Sequence, residues 1–343
     1  MIVNLTVSLP DDIAIRLAAD GVDLARRALE ALALDGYRSG RLTRPELRRT
    51  LGYGTRAELD GFLKEHGVDE SMTIEAFERQ YPKLPHVACF DTDFFHDLPR
   101  VAQMLAIPRR YEAQGVRRYG FHGLSYAYLM EELTRQAGGK AASRRIILAH
   151  LGNGASLAAV QDGRPVDTSM GFTPAAGIPM GTRSGDLDPG LISYFARSEN
   201  MSPKEFDQMI NFRSGLLGIS ETSSDMRELL GREGQDIRAA EAVALFCYQV
   251  RKWIGAFAAA LGGLDQLVFA GGVGENAPVV RSRICEGLEF LGIEIDAKRN
   301  TEGAPLISRD AGRVKVSVVP TDEEVMIARS VSRVLALGPT DRS

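Results

Sequence analysis

Apolar positions in this chain follow two periods, one of strands and one of helices. From Arg144 to Asp167, RRIILAHLGNGASLAAVQDGRPVD, aliphatic and β-branched residues run through Arg145–His150, break at Leu151–Ala155 and resume from Ser156 to Gln161 before Asp162-Gly163. This predicts strand, turn, strand and turn. The glycines flanking Asn153 open main-chain N–H groups to close approach, so the first turn can cradle an anion as readily as it can simply reverse the chain. Further strands are predicted at Ile2–Leu9, Val87–Phe90, Gln266–Ala270 and Val314–Val319. The helical period predicts Leu24–Tyr37, a helix starting near Ser125, Pro189–Ser198, Pro203–Asn211 and the long Ala239–Leu261, with Pro10-Asp11-Asp12 and Ser223-Ser224-Asp225 as caps. Two short helices, Thr43–Leu51 and Thr55–His66, each start at a threonine cap, and the link Gly52-Tyr53-Gly54 gives them the spacing of a helix-turn-helix.

At 343 residues, 44% hydrophobic and 25% charged, the chain has the length of two ordinary globular domains. Its net charge of -4 argues against whole-chain affinity for nucleic acid or anionic membrane. A local basic patch remains: Arg41, Arg44, Arg48, Arg49 and Arg56 can touch DNA phosphates, or form a solvated helical face balanced by nearby acids. Cys89, Cys247 and Cys285 lie far apart and outside C-x-x-C spacing, which suggests no zinc site, no disulfide framework and a cytoplasmic location. The opening MIVNLTVSLPDD has no secretory pattern, and Glu241, Arg251 and Lys252 interrupt the most apolar helix, so no membrane span is expected.

Candidate chemistry gathers where strands end. Asp91 follows the predicted strand Val87–Phe90, a position where ligands collect in α/β sheets, and equally a position for a turn acid. His122 stands between Gly120 and Gly123 before a helix, as an exposed ligand-facing histidine or a turn histidine bonded to backbone. Arg183, in the glycine-rich loop DTSMGFTPAAGIPMGTRSGDLDPGL, has small neighbours that free its planar fork for a carboxylate or phosphate; the alternative is an ion pair with Asp186 or Asp188. Gly271-Gly272-Val273-Gly274-Glu275-Asn276 reads as a glycine turn between strand and helix, weak evidence of a nucleotide, with the next helix starting near Ala277. The acids of Pro320-Thr321-Asp322-Glu323-Glu324 can hold a metal or complement a helix dipole.

In order, HGLS, HLGNGAS, DTSMGFTP, GTRSGDLDP, SSDMR, GGVGEN and PTDEE resemble the acetate kinase family from about Phe77 to Leu337. The resemblance implies an α/β fold of ribonuclease-H-like domains, the acetate and sugar kinase, heat-shock protein and actin superfamily, here preceded by a small mostly helical domain. It implies a homodimer that transfers phosphoryl between ATP and acetate or another short carboxylate, with Mg2+ or Mn2+. Asp91, His122 and Arg183 match the family's catalytic residues. His150, Leu151, Gly152, Asn153 and Gly154 match its phosphate turn; Asp225, Met226 and Arg227, with Gly272, Val273, Gly274, Glu275 and Asn276, match its adenosine segments; Glu323 matches its metal carboxylate. RLTRPELRRTLGYGTRAELDGFLKEHGV resembles small bacterial antitoxin-like proteins, which implies DNA as a partner of residues 1–70. The expected organisation is residues 1–70 as that domain, 71–93 as a remnant of a first kinase domain, 94–323 as the second, nucleotide-binding kinase domain, and 324–343 as a C-terminal helix and tail.

The family's Asn-x-Gly-Ser-Ser-Ser-x-Lys strand end and its His-Arg-x-x-His-Gly-Gly arginine do not occur in this sequence, and Phe-Asp-Thr-Ala-Phe-His reads Phe90-Asp91-Thr92-Asp93-Phe94-Phe95. The expectation is an N-terminally truncated family member with exposed apolar surface. Two functional readings follow: an acetate kinase, or a catalytically incompetent fusion with a DNA-binding-like N-terminal segment.

Overall fold

The computed structural model describes residues 23–38, 41–53, 56–66, 74–137 and 144–337. The predicted strand Ile2–Leu9 and its Pro10-Asp11-Asp12 cap lie outside the described residues. The chain divides into two compact units, Met1–His86 and Val87–Ser343.

In the first unit α1 (Leu24–Arg38), α2 (Arg44–Leu51) and α3 (Arg56–Glu65) precede a further helix, Ile74–Gln80. The Thr43 main-chain N–H and hydroxyl both donate to the Glu46 carboxylate, at 2.8 and 2.6 Å, which starts α2 with a capping box. Gly52 stops that helix at φ 71, a left-handed conformation suited to glycine. Leu34, Leu47, Leu51, Leu59, Phe62 and Leu63 pack into one apolar cluster. The two expected short helices are present, with Arg41 and Arg49 exposed.

The second unit is built on a five-stranded sheet in the order β3-β2-β1-β4-β5. Its strands are β1 (Arg145–Leu151), β2 (Ala155–Gln161), β3 (Arg164–Thr168), β4 (Gln266–Ala270) and β5 (Lys315–Val318). β1 runs antiparallel to β2 and parallel to β4, β3 is antiparallel to β2, and β5 is parallel to β4. The helices that frame the site are α4 (Gly123–Ala137), α5 (Gly215–Ser220), α6 (Met226–Arg232), α7 (Ile237–Ala260), α8 (Gly271–Asn276), α9 (Pro278–Cys285) and α10 (Glu323–Val334). Because side chains alternate across a strand, Ile147, Ala149 and Leu151 meet Val243, Phe246, Val250 and Ile254 of α7, whereas Ile146 and Leu148 meet Tyr126, Leu129 and Leu133 of α4. Helices on both faces explain why β1 and β2 read as continuous apolar runs.

Two expectations need correction. Val87–Phe90 is not a strand, since no described strand lies beside it to complete a ladder. Gly271–Asn276 is a short helix and not a turn, and the following helix begins at Pro278. Its glycines disfavour a helix, and tertiary contacts override them: Gly271 N–H donates to Glu275 Oε1 at 2.9 Å, and Arg281 holds the carbonyls of Gly274 and Glu275 at 2.8 Å each. Phe90, Val101, Val334 and Leu337 stand in solvent. Among the described residues no helix is long and apolar enough to cross a membrane.

Candidate active site

The parallel strands β1 and β4 end side by side, with His150 in register with Ala270. Sites in open α/β sheets form at such carboxyl ends. Three further segments converge here. The first is the turn before α4, where Gly120 at φ 75 packs on Phe95 and His122 itself adopts φ 59. Asp91 fixes that turn: its Oδ2 accepts the His122 N–H at 2.8 Å and its carbonyl accepts the Gly123 N–H at 2.7 Å. Holding a non-glycine residue in the left-handed region costs energy, and these bonds offset it.

His122 and His150 stack, with ring centroids 4.3 Å apart and planes 30° from parallel. His122 Nδ1 bonds Ser156 Oγ at 2.9 Å, and the buried Tyr126 hydroxyl meets the same oxygen at 2.5 Å. His150 Nδ1 bonds Ser125 Oγ at 2.8 Å, which in turn bonds Thr321 Oγ1 at 2.8 Å. Burial pushes His122 down to about 4, helped by the Arg183 charge. Burial and the neighbouring His122 push His150 down to about 3, against the opposing pull of Asp91. Both imidazoles are therefore neutral near pH 7.

The second segment is the Arg183 loop, lashed to the Asn153 turn by a bond from Gly181 N–H to Asn153 O at 3.0 Å. A side chain at Gly181 would run into the Asn153 amide. The Leu217 N–H of α5 donates to the Gly181 carbonyl at 2.9 Å and holds the loop from behind. Asp186 accepts from Gly177 N–H at 2.8 Å and Asp188 from Gly190 N–H at 2.7 Å, so neither acid takes Arg183 as an ion-pair partner. Among the described residues the guanidinium's hydrogen-bond partners are weak, Pro174 O at 3.4 Å and Met180 Sδ at 3.6 Å, and no carboxylate is one of them. Burial lowers its pKa, yet the group stays a cation at neutral pH. A Cβ on Gly154 would lie 3.1 Å from His122 Nε2 and 3.5 Å from Arg183 Nη1, so both donors flank this bare stretch of main chain.

The third segment precedes α10. Asp322 caps that helix through Val325 N–H at 2.9 Å, which relieves Glu323 of the capping task. Glu323 is pushed upward by burial and, second, by the charge of Asp91, so the two carboxylates sense each other. Among the described residues no group of three or more His, Cys, Asp or Glu could hold a metal. A pair of hard oxygen donors nevertheless fits a divalent cation that keeps several waters and takes its remaining ligands from phosphate.

The other predicted residues divide by environment. Gly152 N–H turns back to Gly154 O at 3.0 Å, and a Cβ on Gly152 would lie 3.8 Å from Gly272 N, which puts these glycines beside each other. Glu275 ties Gly271 N–H to Thr321 N–H at 3.3 Å, while Asn276 donates to Gly272 O at 3.0 Å. Val273 is half-buried. Asp225 caps α6 and pairs with Arg227 at 2.5 Å. The side chains of Leu151 and Met226 belong to the core, which leaves only their main chain to face a ligand. Sequence reasoning overlooked Ser125, Tyr126, Ser156, Thr321 and Arg281. One signal was available: His122 and Tyr126 stand i, i+4 across the helix entry, on one face.

With this geometry in view, residues 58–329 match the Acetokinase family and residues 1–82 an uncharacterised protein family, UPF0175. An acetate kinase of Rhodopseudomonas palustris is 47% identical over 262 residues, covering 76% of this chain and 65% of the relative. That of Bacillus cytotoxicus is 44% identical over 278 residues, covering 80% and 70%. The crystal structure of Porphyromonas gingivalis acetate kinase superposes with a TM-score of 0.73 at 39% identity, covering 81% of this chain and 72% of that one. A propionate kinase from Francisella tularensis gives 0.70 at 33%, covering 88% and 72%. The chain thus spans about two thirds of the length of the curated relatives it matches. On the strength of the family match and these identities, the chain belongs to the acetokinase family.

Proposed function

We propose that the chain transfers phosphoryl reversibly between ATP and acetate, giving acetyl phosphate and ADP. The observation that carries this reading is the convergence of His122 Nε2 and Arg183 Nη1 on Gly154. A carboxylate oxygen of acetate attacks the γ-phosphorus, a new O–P bond forms as the bond to the bridging oxygen of ADP breaks, and no proton has to move. The work is to bring anions together and offset charge spread over the transferring oxygens. Arg183 and His122 donate to those oxygens, Asp91 holds His122 in place, and the main chain of His150–Gly154 and Gly272–Asn276 receives the nucleotide. Glu323 and Asp91 would hold Mg2+, or Mn2+ in its place, which when bound supplies charge neutralisation at the phosphates.

The family relationship also supports a cytoplasmic homodimer, and the exposed Ile192, Tyr194 and Phe212 offer apolar surface for it. Purified chain incubated with ATP, Mg2+ and acetate, with product trapped by hydroxylamine, should yield acetyl hydroxamate above an Arg183→Ala blank; a yield no higher than the blank would refute transfer. DNA contact by the first unit is a separate proposal, supported by the exposed Arg41 and Arg49 on its predicted helix-turn-helix. A gel shift at low salt tests it, and absence of a shifted band would end it.

A further inference from the structure

We propose that Tyr126 and Ser156 act as positioning residues that set the tautomer of His122, keeping Nδ1 an acceptor and leaving the Nε2 proton aimed at the space above Gly154. The argument is one of proton accounting. Tyr126 is fully buried, burial raises its phenol far above the ordinary range, and so its single proton stays on and must be donated. The hydroxyl bonds Ser156 Oγ, and among the described residues no buried side-chain N or O lacks a hydrogen-bond partner. Ser156 therefore accepts from Tyr126 and has its own proton to give, and its second neighbour is His122 Nδ1 at 2.9 Å. A neutral imidazole that accepts at Nδ1 carries its proton on Nε2.

The opposite polarity, Nδ1–H to Ser156 and Ser156 to Tyr126, would strand the phenolic proton inside the core. Stacking on His150 fixes the ring plane, so the direction of the Nε2–H bond is set along with its occupancy. The Arg183 guanidinium lies beside the same glycine, its Nη1 3.5 Å from where a Gly154 Cβ would stand. A neutral donor beside a cation offers an anionic oxygen two hydrogen bonds without the repulsion of two adjacent positive charges. The value of this arrangement for catalysis rests on the proposed phosphoryl transfer; the tautomer itself does not.

The test uses the full chain with 15N-labelled histidine, read at pH 7 by two-bond proton–nitrogen correlation, with the His122 signals identified by their loss in His122→Gln. The expected wild-type pattern is a protonated, pyrrole-type Nε2 and an unprotonated, pyridine-type Nδ1. In Tyr126→Phe the serine proton is no longer directed, and both nitrogens should move toward the averaged shifts of a tautomer mixture. Ser156→Ala, which removes the donor to Nδ1, should do the same and serves if the first variant fails to fold. A protonated Nδ1 in the wild type would overturn the proposal, as would an unchanged pattern in a folded variant of either kind. Because the spectrum needs no turnover, an inactive wild-type chain would refute the transferase reading and leave this one to be judged separately. If the chain turns over, Tyr126→Phe should lower kcat by about tenfold with the KM for ATP nearly unchanged.

Discussion

The helical unit that contains Leu47, Leu51, Leu59 and Phe62 buries an apolar cluster, whereas the sheet unit also draws Ser125, Ser156, Arg281 and Asn300 into its interior. Every fully buried polar or charged residue among the described ones belongs to the sheet unit. Burying such groups costs energy unless each finds a partner, so their presence marks where the fold has accepted constraint for chemistry. Arg281 illustrates the point: desolvation lowers its pKa, yet it bonds Asn300 Oδ1 and the main chain at both ends of the linkage. The difference between the units therefore separates residues that hold the protein together from residues that aim something.

The largest expected effect tests the apolar side of the contrast. Leu47→Ala should cost the helical unit about 2–5 kcal/mol, as large-to-small changes at fully buried sites do, while hydroxamate formation stays within twofold. Denaturation followed alongside activity checks it; parallel loss of both would merge the two units' roles. Arg183→Ala should show the reverse, removing about 2.7–4 kcal/mol of transition-state stabilisation, or 10²–10³ in rate, with little change in melting temperature. Steady-state kinetics and calorimetry on the same sample decide it.

A third prediction concerns pH. His122 has its folded pKa depressed from 6.5 to about 4, so the unfolded chain takes up a proton first as pH falls. Its contribution is fully present above the unfolded value, and stability declines as pH drops from 6.5 toward 4, by about 2 kcal/mol at pH 5. His150 acts in the same direction. Urea midpoints at pH 7 and pH 5 should converge in His122→Gln relative to wild type. The smallest effect is local: Asp322→Ala removes the cap of α10 and should cost about 1 kcal/mol, visible as a lower urea midpoint.

Much of the frame was legible because its signals are local. β4 falls on Gln266–Ala270 as its apolar run predicts, and α7 covers Ile237–Ala260, within a few residues of its helical period. What escaped depended on neighbours distant in sequence. Val87–Phe90 has strand composition but no described strand beside it. Gly271–Asn276 has turn composition and is helical because Glu275 and Arg281 satisfy its ends. The site was half legible: glycine-flanked residues such as His122 and Arg183 stand out by pattern, whereas the partners of Asp186 and Asp188, the N–H groups of Gly177 and Gly190, came only from the geometry. The hydroxyl network was not legible, since Tyr126 and Ser156 are 30 residues apart and each is unremarkable alone.

The central claim, that the polar interior of the sheet unit is arranged for phosphoryl transfer, is tested most directly in the reverse direction. Purified chain given acetyl phosphate, ADP and Mg2+ should produce ATP, read continuously by luciferase, at a rate at least a hundredfold above that of Arg183→Ala. No ATP from a folded wild-type chain, or equal rates from the two proteins, would contradict the account.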